Sequence, residues 1–223
     1  MQAKRIIALV LEIFITLSSD LFLLNHILNI DRKKFMNCEP AKWRRTSSKT
    51  IAKCRVFDVR EDESVRDIDD RKANFFVIEN PDWVNVLAVT KSGQAILIEQ
   101  FRHGSESLIL EVPGGMLVDG ESSAAAARRE LLEETGYSSP RWISLGVTHP
   151  NPAIQNNRIH HFLALEAEQT QDVNFDDHES IETRLVPLRD IEELVHNGEI
   201  THALAITAFY LAKRYLENEN FTS

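Results

Sequence analysis

The stretch GMLVDGESSAAAARRELLEETGY, Gly115 to Tyr137, decides how the rest of the chain is read. From Ser122 to Thr135 it is mostly Ala, Leu, Arg and Glu, good helix formers without Pro or Gly, and Gly136 stands where a left-handed C-terminal cap belongs. A helix between two glycine-bearing loops is therefore expected. On it Glu130 and Glu134 lie one turn apart with Glu133 beside them, so carboxylates crowd one face. Like charges at that spacing repel unless a cation stands among them, and hard divalent ions such as magnesium take carboxylate and substrate phosphate oxygens together. Glutamates alone would equally describe a solvated acidic face. The surrounding spacing separates the two readings: Gly115, five residues, Glu121, seven residues, Arg129 and Glu130, an apolar Leu131, then Glu133, Glu134, Gly136 and Tyr137.

That spacing is the Nudix box, and the chain resembles the Nudix hydrolase superfamily over about Cys54 to Leu211. The resemblance implies an α/β fold, an α/β/α sandwich with a mixed β-sheet in which the box is a loop-helix-loop. It implies metal ligation by Glu130, Glu133 and Glu134, and by the backbone carbonyl of Gly114, the residue before the first glycine of the box. The cofactor it implies is Mg2+, with Mn2+ as a substitute. Arg129, next to these carboxylates, is suited to orienting one of them by a bidentate pair. Glu121 is expected to support the loop and helix rather than to bind metal.

Two further stretches, Gln100-Phe101-Arg102-His103-Gly104 and Glu111-Val112-Pro113-Gly114-Gly115, look like the ADP-ribose pyrophosphatase branch of the superfamily. They bring Arg102, whose guanidinium matches diphosphate oxygens, and Glu111 into the expected substrate site. Pro152, about fifteen residues past the box, is a marker associated with the same branch. Relatives also use a glutamate on a loop outside the box as general base or extra metal ligand. In the acidic run Asp172 to Glu182 the first choice for it is Glu179 and the second Asp177.

The implied reaction is metal-dependent hydrolysis of the phosphoanhydride of a nucleoside diphosphate linked to another group. ADP-ribose, giving AMP and ribose 5-phosphate, comes first, and nucleotide sugars next. Glu133 and Arg129 would assist as Glu179 takes the proton of the attacking water. Alternative readings are a dinucleoside polyphosphate or oxidised nucleotide hydrolase with the same box, and a non-catalytic nucleotide-binding sensor. Sensors usually lack a box carboxylate, whereas this chain keeps them all.

Composition sets the bounds. A chain of 223 residues, 43% hydrophobic, suffices for one good core with an appended arm, and a net charge of -9 argues against a nucleic-acid partner. Cys38 and Cys54 form no metal-ligand spacing; read as free thiols they fit a reducing, cytoplasmic setting, and a single disulfide between them is the alternative. Residues 1–40 are set apart as an N-terminal apolar or amphipathic extension and 41–223 as the hydrolase domain. Ile6 to Leu17 is apolar, but burying Glu12 and Asp20 in a membrane would cost roughly 2.5 to 3.5 kcal/mol each, which disfavours a span. An amphipathic helix on the domain, a weak membrane-surface anchor and an extension upstream of a true start at Met36 all stay open. Relatives in this branch are often homodimers with shared N-terminal strands, so a homodimer is expected.

Apolar alternation predicts strands at Lys53 to Val59, Phe75 to Glu79, Trp83 to Thr90, Gln94 to Phe101, Trp142 to His149, Arg158 to Glu166 and Ile181 to Val186. Pro40 to Lys53 reads as a linker or arm, and Arg60 to Lys72 as a charged stretch without a core pattern. Helices are expected at Asp190 to His196 and Thr201 to Glu217. His160 and His161 are adjacent in a strand and must face opposite sides, so neither is assigned to the metal.

Overall fold

A computed structural model describes residues 40–173 and 180–220. The described residues divide into a small unit, residues 40–44 with Val65–Arg71, and a large one, Arg45–Ser64 with residues 72–220. In the small unit the Arg66 guanidinium lies 5.7 Å from the centre of the Trp43 ring and pairs with Asp69.

Strands β1 (Trp43–Lys53), β2 (Asp58–Arg66) and β3 (Lys72–Glu79) form a three-stranded sheet in that order. The larger sheet holds β4 (Trp83–Thr90), β5 (Gln94–Arg102), β6 (Ser107–Glu111), β7 (Gly114–Met116), β8 (Tyr137–Ser138), β9 (Arg141–Thr148), β10 (Ile159–Gln169) and β11 (Ile181–Pro187). Its path is β11-β5-β4-β10-β8, with β6 on β5, β7 on β4 and β9 on β10. The β4–β10 ladder is parallel and its neighbours are antiparallel, which makes the sheet mixed. Helix α1 (Ser123–Thr135) follows β7, and α2 (Ile191–His196) and α3 (Ala203–Asn220) close the described chain.

Period-two alternation gives each face of the central strands its own helices. Val84, Val86 and Ala88 of β4, with Phe162 and Ala164 of β10, pack against Ala126, Ala127 and Leu131 of α1. Leu87 and Val89, with Leu163, face Ile191 of α2 and Ala205, Ala208, Phe209 and Ala212 of α3. Helices thus cover both faces of the mixed sheet, the α/β/α sandwich expected. Alanines at the α1 contact bring that helix close to the sheet, and each fully buried Val, Leu or Ile contributes about 1.5–3 kcal/mol. Among the described residues no helix is long and apolar enough to cross a membrane.

Between residues 40 and 72 the structure differs from expectation. Trp43–Lys53 is a strand rather than a linker; it is exposed along its whole length, so no apolar alternation announced it. The strand expected at Lys53 to Val59 instead spans the end of β1, a turn closed by Cys54 N–H on Phe57 O (3.0 Å), and the start of β2. The charged stretch from Arg60 onward is mostly β2. It buries Asp62 because Ser48 Oγ (2.6 Å) and Arg60 Nε (3.0–3.1 Å) donate to that carboxylate. A buried charge so paired reads in sequence as surface.

Candidate active site

Helix α1 is defined at both ends by its own residues. Ser122 caps the N-terminus by accepting from Ala125 N–H (3.2 Å), and Gly136, at φ 73°, turns the chain out while its N–H donates to Leu132 O (2.9 Å). With Ala126, Ala127 and Leu131 against the sheet, the registration of Glu130, Glu133 and Glu134 is fixed.

Strand β7 runs antiparallel beside the start of β4, with Gly114 opposite Asn85 and Gly115 opposite Val84. Val86 N–H donates to Pro113 O (2.8 Å), which puts the Asn85–Gly114 pair at a non-hydrogen-bonded position of the ladder. Gly114 N–H and C=O therefore point away from β4. Its N–H donates to Glu134 Oε2 (2.9 Å), so its carbonyl opens on the side where that carboxylate stands. Gly115 is a glycine for a steric reason: a Cβ there would run into the Glu130 carboxylate.

Arg129 organises this face. Its Nε and Nη2 donate to Glu121 (3.0 and 2.9 Å), Nη1 to Glu130 (2.8 Å) and Glu133 (3.1 Å), and Nη2 also to Met116 O (3.2 Å). Hydrogen bonding to Glu121 above all raises the guanidinium pKa, and the same bonds lower that of Glu121. Glu121 in turn accepts Val118 N–H (3.3 Å), so it braces the loop before the helix.

The donor set suits a hard divalent cation. Glu130 and the buried Glu134, one helical turn apart, and a backbone carbonyl on the same side supply oxygens only, and Gly115 leaves the room that Glu130 occupies. Among the described residues no three or more acidic, His or Cys side chains are grouped closely enough to hold a metal ion by themselves.

Arg102 and Glu111 meet directly. Arg102 Nε and Nη2 donate to the two Glu111 oxygens at 2.6 and 2.8 Å, and His202 Nδ1 lies 3.0 Å from Glu111 Oε2. Burial of Glu111, only 2% exposed, pushes its carboxyl up; hydrogen bonds from Arg102 and His202 outweigh that and hold it down to about 2. The Arg102 side chain is 47% exposed, with one guanidinium edge committed to this pair.

Pro152 is exposed in a turn where Ile154 and Gln155 N–H groups donate to Asn151 O (3.1 and 2.8 Å), and Ile78 N–H holds that turn to β3 through Ile154 O (2.8 Å). Asp82 ties its far end down, accepting from Arg158 N–H (2.9 Å) and Arg158 Nε (3.1 Å) and meeting His160 Nε2 at 3.0 Å; its own carbonyl accepts Leu117 N–H (2.9 Å). His161 faces the other way, fully buried, with Nε2 2.8 Å from Thr148 Oγ1. Burial holds its pKa down to about 4. Glu179 and Asp177 lie outside the described residues.

The carboxylates, Arg129, Glu121 and the Gly114–Gly115 start of β7 thus form one unit, while Arg102 with Glu111 and the Pro152 turn occupy separate elements. His202, Asp82 and Asn85 have no sequence signal that links them to the box: each acts across at least two elements distant in the chain.

The NUDIX domain family matches residues 80–209. An ADP-ribose pyrophosphatase of Bacillus subtilis (strain 168) is 34% identical over 160 residues, covering 70% of this chain and 86% of the relative. A GDP-mannose pyrophosphatase of Yersinia pestis (strain Pestoides F) is 29% identical over 172 residues, 71% of this chain and 82% of that one. The crystal structure of an ADP compounds hydrolase shares the fold with a TM-score of 0.72 at 22% identity, over 80% of this chain and 96% of the other. Because the matched region contains the whole of α1 with its carboxylates, the glycine turn before it and both parallel strands beneath it, the chain belongs to the NUDIX domain family.

Proposed function

We propose that the protein is a magnesium-dependent hydrolase that cleaves the phosphoanhydride of a nucleoside diphosphate linked to another group, with ADP-ribose the first substrate and nucleotide sugars the second. Hydrolysis of ADP-ribose would consume one water and release AMP and ribose 5-phosphate. The observation that carries the reading is the carboxylate face of α1, held by Arg129 over a glycine turn whose carbonyl opens toward Glu134. The similarity to an ADP-ribose pyrophosphatase over 70% of this chain supports the choice of substrate. The similarity to a GDP-mannose pyrophosphatase keeps nucleotide sugars in view.

Divalent cations, which NUDIX hydrolases generally use, neutralise the diphosphate and acidify the attacking water when bound. Glu130, Glu133, Glu134 and the Gly114 carbonyl would hold them. Arg129 keeps the carboxylates together while the site is being filled, and Glu121 fixes Arg129. Arg102, oriented by Glu111, is assigned to the diphosphate, and the turn bearing Pro152 to the group beyond it. Proton abstraction from the water is assigned to Glu179, with Asp177 the second choice.

The same reading takes residues 41–223 as the catalytic domain with 1–40 as an extension, in a cytoplasmic homodimer. Ile51 and Phe76, exposed on the small sheet, supply apolar surface for a second copy. Light scattering on the purified protein decides that point; a monomer at micromolar concentration removes the dimer.

The reaction is tested by incubating the protein and magnesium with ADP-ribose, ADP-glucose, GDP-mannose, a diadenosine polyphosphate and NADH, and resolving products by mass. AMP with ribose 5-phosphate from ADP-ribose, at the highest kcat/KM of the set, is the expected result. Faster turnover of another compound would overturn the substrate assignment. Tight nucleotide binding without turnover in magnesium or manganese would overturn hydrolysis itself.

A further inference from the structure

Behind the glycine turn lies a row of buried polar groups that the carboxylate face does not use. Register places Gly114 of β7 beside Asn85 of β4, Asn85 beside His161 of β10, and His161 beside Gly146 of β9, so one line crosses four strands. Asn85 and His161 share the sheet face of Leu87 and Leu163, opposite α1. Asn85 is 7% exposed and His161 fully buried. Asn85 Nδ2, His161 Nδ1, Trp83 Nε1 and both side-chain polar atoms of Asn157 are buried without a hydrogen-bond partner in the protein. All of them sit near the N-terminal ends of the parallel pair β4 and β10, where Trp83 stands opposite Ile159.

So many unpaired groups in one place have a physical consequence. Each buried polar atom left without a partner is destabilising, because it has given up its bond to water, whereas a buried water with two to four polar partners removes that cost. The donors and the acceptor here are complementary: Asn85 offers an N–H, and His161 offers a ring nitrogen when its other nitrogen carries the proton toward Thr148. Asn85 is also in contact with the back of the turn. A Cβ on Gly114 would lie 3.0 Å from Asn85 Oδ1 as well as against the Val84 carbonyl, so the amide stands close against that glycine.

We propose that these groups enclose an internal water, and that Asn85 and His161, linked through it, form a positioning unit that holds the Gly114 peptide against Glu134. His161 Nε2–H then donates to Thr148 Oγ1 and Nδ1 accepts from the water; Asn157 completes the water's partners. Asn85 is thereby fixed by a hydrogen bond on one side and presses on Gly114 on the other. Its functional consequence rests on the reading of the Gly114 carbonyl as a metal ligand; the pair itself does not.

Two readouts keep these apart. In the full-length protein, 15N NMR of the His161 ring is expected to show a protonated Nε2 and a hydrogen-bonded acceptor at Nδ1. In Asn85→Leu the Nδ1 resonance is expected to move to the value of an unbonded acceptor. An Nδ1–H tautomer, or an Nδ1 resonance unmoved by Asn85→Leu, overturns the pair. Mn2+ affinity, read by EPR titration, is expected to fall roughly 10-fold in Asn85→Leu and His161→Phe, and to be retained in His161→Gln, which keeps an acceptor. At saturating metal kcat stays near wild type. Unchanged Mn2+ affinity in Asn85→Leu, while Glu134→Gln abolishes binding, overturns the positioning role. Mn2+ binding that Glu134→Gln leaves intact overturns the metal reading instead, and the NMR result still decides the pair. If Asn85→Leu does not fold, the wild-type tautomer and His161→Gln against His161→Phe carry the same decision.

Discussion

Replacing Glu111 by Gln should make the protein less stable in a way that depends on pH. The carboxyl moves from 4.5 to about 2 on folding because Arg102 and His202 bind its charged form more strongly than burial penalises it. At 1.36 kcal/mol per unit that corresponds to about 3 kcal/mol at neutral pH. The Arg102 side chain is 47% exposed, and solvent screening of that partner brings the figure to about 2 kcal/mol. The folded value lies below the unfolded one, so the contribution is full above pH 4.5 and fades as pH falls toward 2. By pH 3 it stands at roughly 40% of its neutral value. The assay is thermal or urea unfolding of wild type and Glu111→Gln at pH 6 and pH 3, compared as a difference so that other carboxylates cancel. At pH 6 the variant should melt roughly 4–8 °C lower, and the gap should more than halve at pH 3. A gap that is the same at both pH values, or none at pH 6, would refute the claim that the ion pair holds Glu111 charged. Loss of the carboxylate also frees the Arg102 edge it holds, so KM for ADP-ribose should rise more than kcat falls.

Other substitutions probe the site and its supports. Glu134→Gln should lower kcat by roughly three orders of magnitude with little change in melting temperature, since the amide oxygen can still accept Gly114 N–H; near-normal turnover would remove the carboxylate platform. Gly115→Ala should displace the Glu130 carboxylate and depress Mn2+ affinity while leaving the fold intact, because the group it strikes is the end of a flexible side chain. Ser122→Ala should cost about 1 kcal/mol by urea unfolding, the worth of an N-cap, and an unchanged midpoint would show that Ala125 N–H is satisfied otherwise.

Agreement between sequence and structure follows the range over which each feature is encoded. Trp83–Thr90 carries a run that is apolar but for Asn85 before its closing threonine and is buried by neighbours on both faces, and its bounds match the reading of the sequence. The box helix, too, is written locally: its composition, Ser122 and Gly136 lie within one contiguous stretch. Strand β1 was not legible, because its side chains are exposed and its order comes from backbone pairing with β2. The burial of Asp62 was hidden for another reason: Arg60 beside it in β2 reads as one more surface charge, and the second donor, Ser48, comes from β1.

By itself, the sequence determined the family spacing, the helix that carries Glu130, Glu133 and Glu134, and most of the strands beneath it. Helical periodicity and strand alternation are short-range consequences of backbone geometry, so a few consecutive residues suffice to reveal them. Only the tertiary structure decided that Glu111 is clamped between Arg102 and His202, that Arg129 gathers the carboxylates with Glu121, and that Gly114 turns its N–H to Glu134 with Asn85 at its back. These contacts join residues as far apart in the chain as Glu111 and His202, and their strength comes from burial and register, which exist only once the sheet has formed.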